Sequence, residues 1–480
     1  MNSSKLKLFV ENFLIYGLGS VISKIIPLVM LPIVTRLMPD TSYFGINDLF
    51  NTVASFAGAI ATMGMFDGMY RMFFEKNEIE YQKSVCSTTL IFTTSLTVVV
   101  CIMMIVLRKI IACYIFGGEE FSYLVCLASL ATMVSATNNI ISAPTRMKNK
   151  RGIYLLTNTF SSIFSYIVTI PLLLKGHYYI ALPIASIISG LIIECVYFII
   201  NIHWFRISLF NPVILKQTLK IAIPLCPNFL VYWIFNSCDR LMISQHMTVY
   251  DVGIYSIGAK LGNMSQLIYN AFAGGWLYFS FSTMKEENQV KSNSNIFEYM
   301  TAVSLVATSL VFGLSKFIYD LLFSGDYVLG YQIAPILFLA PLLQMLFQIV
   351  CNQFVIIKKS WPNVVLLSVG AVFNILLNEL LIPVIGIEGA ALATVFGYGI
   401  TLIMTIIILN KMKLFIMGER LIKIVIPFLI YAVCWRIFFR TNTSVGVILA
   451  FVYILIVIYM YKHDIRFVFE GVKNKLNGKK

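Results

Sequence analysis

Residues 24–40 read KIIPLVMLPIVTRLMPD, an apolar run interrupted by a lysine, two prolines and an arginine. It closes a longer apolar segment, 11–35, that as a helix is long enough to cross about 30 Å of hydrocarbon. Lys24 falls about eleven residues from the end of that helix at 35, on the order of 16 Å, and close to the bilayer midplane. A lysine facing lipid there costs about 3 kcal/mol even on lenient insertion scales, so Lys24 is expected to face the protein interior. Pro27 and Pro32 each remove a backbone donor and free a carbonyl, a defect tolerated where neighbouring helices or cavity water satisfy it. The pair marks a bend that would let this helix change shape.

The rest of the chain is built the same way. Of its 480 residues, 59% are hydrophobic and only 12% charged, too little polar surface to cover a water-soluble globule. Apolar runs recur about fourteen times between short charged or turn-rich breaks, which predicts an all-α polytopic membrane protein without an inserted soluble domain. The strands of a membrane barrel would be alternating runs of about ten residues, so that class is set aside. The net charge of +14 raises the question of nucleic acid, but Lys and Arg collect in alternate loops. Roughly 26 fall on the side of the termini and about 7 on the other, which places both termini in the cytoplasm. The loops RMKNKR (146–151) and KMK (411–413) and the tail KNKLNGKK carry much of that bias. Nine cysteines are scattered without a CxxC spacing and read as small hydrophobes, and no metal or other cofactor is expected. The first apolar run is too long for a signal peptide and is expected to be retained as helix 1.

A repeat appears at a spacing of about 200 residues. TRLMPDTSYFGI (35–46) matches DRLMISQHMTVYDVGI (239–254), each after a proline pair, Pro27/Pro32 and Pro224/Pro227. IPLLLKGHYYIALPIAS (170–186) parallels IPVIGIEGAALAT (382–394). Six helices therefore recur in one orientation, predicting two parallel bundles over 1–205 and 206–415 that face each other across a central cleft. Residues 416–480 add two helices and a basic cytoplasmic tail. Such an architecture suits alternating access.

Together with YFGINDL (43–49), MGMFDGMYRMFFE (63–75), DRLM…GIYSIGAKL (239–261) and LNELLIPVIGIEGAALAT (377–394), these stretches resemble the polysaccharide flippase family over essentially the whole chain. That family belongs with lipid II flippases and multidrug and toxin extruders in one superfamily. The resemblance implies a non-enzymatic transporter in the bacterial cytoplasmic (inner) membrane. Its substrate would be an undecaprenyl-pyrophosphate-linked oligosaccharide destined for O-antigen of lipopolysaccharide, capsule or exopolysaccharide. It also leaves room for a polysaccharide polymerase and a chain-length regulator as partners. A cation-coupled multidrug exporter and a membrane-embedded oligosaccharide polymerase are the alternatives.

Helix 8, expected over 252–276 and corresponding in the repeat to helix 2 over 43–66, carries Lys260 about eight residues inside its start. Lys24 and Lys260, on helices that line the cleft in the resembling family, would give the cleft a positive potential suited to a pyrophosphate. The competing reading pairs them with the buried carboxylates Asp48, Glu194 or Asp239. Arg36 and Arg240 occupy matching places near the outer ends of helix 1 and of helix 7, expected over 219–244, and read as substrate or gate residues or as interface anchors. Asp239, Glu194 and Asp48 are candidates for ion coupling or for charge pairing. Asn374, Asn378, Gln344, Gln348 and Asn352 share helix faces and are expected to hold helices together more than to bind sugars.

Overall fold

The computed structural model describes residues 25–148, 150–359, 361–464 and 466. Among these residues there are helices and short connections and no strand. In chain order the helices are α1 (Ile25–Leu37), α2 (Thr41–Thr62), α3 (Met65–Phe73), α4 (Ile79–Val106), α5 (Arg108–Phe116), α6 (Glu119–Met147), α7 (Gly152–Leu174), α8 (Ala181–Trp204) and α9 (Pro212–His246). They continue as α10 (Val249–Gly262), α11 (Gln266–Ser282), α12 (Gln289–Leu322), α13 (Ala334–Ile356), α14 (Trp361–Ile385), α15 (Ile387–Lys411), α16 (Glu419–Phe439) and α17 (Thr443–Met460).

Among the described residues 11 helices are long and apolar enough to cross a bilayer, or 12 if α2 and α3 form one bent span. Two of the fourteen expected spans account for the difference. Residues 11–24 of the first lie outside the described residues. The helix expected over 252–276 is two shorter helices, α10 and α11, separated by a 3₁₀ turn at Asn263–Ser265. Gly262, Asn263 and Ser265 are all weak helix formers, and the apolar pattern that runs through them hides the break.

Local chemistry explains the other interruptions. α2 ends where Met63 and Gly64 turn left-handed (φ 43° and 68°), and the chain leaves at 43° as α3. A Cβ on Gly64 would sit 2.8 Å from the carbonyl oxygen of Ala222, so both conformation and space call for glycine. α9 begins with Asn211, whose side chain accepts from the amides of Val213 (2.9 Å) and Ile214 (3.3 Å), followed by Pro212 in the first turn. It then passes through a 3₁₀ turn at Ile223–Leu225 and a π turn at Ile234–Cys238.

The chain forms two compact units. The first holds the described residues up to Ile257, with Phe323–Tyr327 and Ala371–Ala393; the second holds Gly258–Leu322, Val328–Gly370 and the chain from Thr394 onward. In the first, α3, α4, α6 and the end of α8 close over a cluster that includes Met69, Phe73, Val85, Ile140 and Trp204. Two cations of the basic loop cover it: Arg146 lies 4.7 Å from the Phe66 ring, and Lys148 lies 5.3 and 5.0 Å from the rings of Phe73 and Trp204. In the second unit the Tyr431 hydroxyl of α16 donates to the carbonyls of Ser309 on α12 and Gly446 on α17, both at 3.1 Å. α13 is the most enclosed span, and the Asn352 amide there bonds Ser280 of α11.

Candidate functional site

The sequence pattern that brings a site together is the glycine shared by the two repeats, Gly45 in FGIND and Gly253 in VGIYS. α2 and α10 touch backbone to backbone there. A Cβ on Gly45 would lie 2.1 Å from the carbonyl oxygen of Val249, and one on Gly253 would lie 2.0 Å from that of Thr41. Each glycine thus faces the residue that stands four places before the other. The Thr41 hydroxyl donates to the Tyr250 carbonyl at 3.1 Å across the same crossing. Small residues permit this approach in apolar surroundings, where van der Waals contact and hydrogen bonds drive helix association.

Three residues beyond each glycine lie Asp48 and Ser256, and the close crossing lets them meet. The Ser256 hydroxyl donates to Asp48 Oδ2 at 2.6 Å. The same carboxylate accepts from Nε of Arg240 on α9, whose Nη1 also donates to the carbonyl of Asn236. Asn236 belongs to the π turn. Such a turn alters the helical register just before Asp239 and Arg240, and π turns recur at functional sites.

Asp239 makes a separate set of bonds. Its Oδ2 accepts from the Tyr255 hydroxyl at 2.5 Å, and its Oδ1 accepts from the side-chain amide of Asn378 on α14 at 2.8 Å. Asn378 also donates to Asn374 Oδ1 at 3.4 Å. Adjacent residues of α9 therefore engage adjacent residues of α10: Asp239 meets Tyr255, while Arg240 and Ser256 share Asp48. The guanidinium also lies 5.7 Å from the Tyr255 ring. Asp48 and Asp239 are 4% and 1% exposed, so both carboxylates are withdrawn from solvent. Burying such charges is costly unless they are paired and hydrogen-bonded; Asp48 has both an ion pair and a hydrogen bond, and Asp239 accepts hydrogen bonds on both oxygens.

The other candidates fall elsewhere. Lys24 lies outside the described residues. Lys260 is exposed, one turn beyond Ser256 on α10, and belongs to the second unit. Arg36 is exposed near the end of α1 and so differs from its repeat counterpart Arg240, which is partnered inside the first unit. Glu194 is half-buried on α8 and meets the hydroxyl of Thr137 on α6. Pro27 and Pro32 lie within α1, Pro224 within the 3₁₀ turn of α9, and Pro227 two residues after that turn. Ser256 and Tyr255 escaped sequence reasoning as functional candidates. A signal for Ser256 was present, because it stands in the second repeat where Asp48 stands in the first.

The profile of a family described as "Polysaccharide biosynthesis protein" matches residues 33–327. An uncharacterized membrane protein of Methanocaldococcus jannaschii is 34% identical over 151 residues, which span 30% of this chain and 30% of that relative's length. Among solved structures, the lipid II flippase MurJ in an inward closed conformation aligns with TM-score 0.69 at 15% identity, covering 95% of this chain and 99% of MurJ. An inward-facing multidrug resistance MATE family transporter of the MOP superfamily aligns with TM-score 0.61 at 15% identity, covering 83% of this chain and 96% of that one. MATE in its straight conformation aligns with TM-score 0.55 at 14% identity, covering 86% and 96%. The fold is therefore that of MurJ and the MATE transporters, and the chain is a multi-pass membrane protein.

Proposed function

The chain belongs to the polysaccharide biosynthesis protein family, and on that premise we propose that it flips a lipid-linked oligosaccharide across the cytoplasmic membrane. The carrying observation is the family match over 33–327 on a chain whose described residues form membrane helices in the MurJ and MATE fold. A polysaccharide role for such a chain is met by moving a membrane-tethered intermediate from the inner to the outer leaflet.

In this proposal the bundles 1–205 and 206–415 rock about a central cleft, with both termini in the cytoplasm. Lys24 and Lys260 attract the pyrophosphate of an undecaprenyl carrier. The sugars follow the headgroup through the cleft while the polyprenyl chain remains in lipid. Arg36 attends the outer exit, and Pro27, Pro32, Pro224 and Pro227 let helices 1 and 7 bend. Arg240 serves the transport cycle through its bond with Asp48. Asp239, and with it Glu194, are the carboxylates where a coupling cation or proton would act. The product would feed O-antigen, capsule or exopolysaccharide assembly, where a polymerase and a chain-length regulator would act next. Buried Asp48 and Asp239 also favour a second reading, a cation-coupled drug exporter.

Depletion of the chain in cells that make a surface polysaccharide tests the proposal. Lipid-linked repeat units should accumulate in the cytoplasmic leaflet while surface polymer is lost. Unchanged surface polymer, or loss of drug tolerance alone, would contradict it.

A further inference from the structure

A cavity of about 380 Å³ lies in the first unit, walled by α2, α4, α5 and α9. Apolar stripes at matching helical spacing face it: Val53, Ala57 and Ile60 on α2, and Val100, Met104 and Leu107 through the end of α4. α9 adds Trp233 and Leu241, and the rings of Trp233 and Phe56 meet with centroids 4.7 Å apart. Thr52, Val53, Ala57 and Met104 are buried, whereas Phe56, Ile60, Met103 and Leu107 are exposed, so the cavity has a closed floor on one side and an open rim on the other. Among the described residues that line it, only Thr52 and Trp233 carry a hydrogen-bond donor in the side chain, and both are committed. The Thr52 hydroxyl donates to the Asp48 carbonyl at 2.9 Å, and the Trp233 indole donates to the Ser55 hydroxyl at 3.1 Å. Such a wall offers nothing to water or to a polar ligand and takes hydrocarbon.

We propose that this cavity binds one acyl chain of a bilayer phospholipid, which enters over the rim and ends against α2. The rim is part of a chain whose helices cross a bilayer, so lipid acyl chains are the hydrocarbon that meets it. From Thr52 to Ile60 the α2 wall rises on the order of 12 Å, close to half of the roughly 30 Å hydrocarbon core and hence to the reach of a chain from one leaflet. An undecaprenyl chain would overrun that length, and none of the described residues lining the cavity is a cation that could hold its diphosphate. The occupant would also bear on the buried charges. Thr52 stands one turn after Asp48, and Leu241 directly follows Arg240, so a chain touching both braces α2 and α9 where they share an ion pair. The inference goes beyond the flippase reading and does not depend on it, because the site is the same whatever substrate the chain moves.

The test photolabels the full chain in nanodiscs of phosphatidylcholine that carries a diazirine near the end of one acyl chain, with labelled residues mapped by mass spectrometry. The floor residues Val53, Ala57 and Met104 should be labelled at least as strongly as Ile199, an exposed residue of α8 outside the cavity. Ala57→Trp fills the cavity from its floor and should lower labelling of Val53 and Met104 about tenfold while leaving Ile199 unchanged. Met104→Ala widens the cavity and should raise labelling of Val53, which keeps the proposal testable if the larger side chain disrupts α2. Label confined to exposed residues such as Ile199, or floor labelling that neither variant changes, would overturn the proposal. Loss of floor labelling to an equimolar amount of unlabelled undecaprenyl phosphate would assign the cavity to the carrier lipid and overturn the acyl-chain proposal as well. None of these readouts measures translocation, so failure here and failure of the flippase reading are told apart.

Discussion

Arg240 and Asp48 show how much of the account turns on single side chains. Removing one member of a buried pair leaves an uncompensated charge, which destabilises by about 3–5 kcal/mol. Arg240→Ala should therefore lower stability in detergent by that order, as read from a denaturation midpoint, while Asp48→Leu combined with Arg240→Met should recover most of the loss. If Arg240→Ala is as stable as the parent and still fails to export, the guanidinium acts on substrate and the pairing is incidental. Ser256→Ala removes one hydrogen bond to a charged group and should be milder, about 1.5–3 kcal/mol. Asp48 and Asp239 were legible as buried carboxylates because apolar flanks surround them, whereas Arg240 read as a substrate or gate residue or an interface anchor near a helix end. Their partners were not, since a hydrogen bond between positions 48 and 256 depends on two helices touching, and residue spacing within one segment carries no such information.

At the scale of elements, the crossing of α2 and α10 depends on glycine at both sites. Gly45→Ala and Gly253→Ala each push a methyl into a carbonyl oxygen about 2 Å away, so the helices must separate and the bond between Ser256 and Asp48 must lengthen. Gly58→Ala on the same α2 meets nothing within 4 Å and should gain up to about 1 kcal/mol from better helix propensity. Thermal midpoints of the three variants check this: losses at 45 and 253 with no loss at 58 fit the crossing, and equal behaviour of all three would refute it. The repeat revealed that two equivalent glycines exist, yet repeats do not say which copies touch. Helix ends followed the same division. The cap at Asn211 and Pro212 has a local signature, whereas the breaks at Gly64 and at Asn263–Ser265 sit inside apolar runs that hydropathy reads as continuous.

For the whole molecule, topology and transport are the claims to test. Cys113 on α5 is exposed and lines a cavity with Lys109 and Ser244, so in a variant otherwise free of cysteine it should react with a membrane-impermeant maleimide added outside intact spheroplasts. Labelling only after permeabilisation would reverse the assigned orientation. Composition alone established a helical membrane protein, and the repeat with its family likeness pointed to a transporter. What the sequence withheld was tertiary: which charges pair, which helices cross, and where cavities open.

The most direct test of the central claim is translocation by the purified chain in liposomes carrying an undecaprenyl-pyrophosphate-linked oligosaccharide, followed by the exposure of sugar to an external lectin with and without a cation gradient. We expect exposure well above that of protein-free liposomes, strongly reduced by Lys24→Ala or Lys260→Ala and partly restored by Arg at either position. Exposure no faster than in protein-free liposomes, from a preparation that does move a cationic drug, would contradict the account and establish the exporter reading in its place.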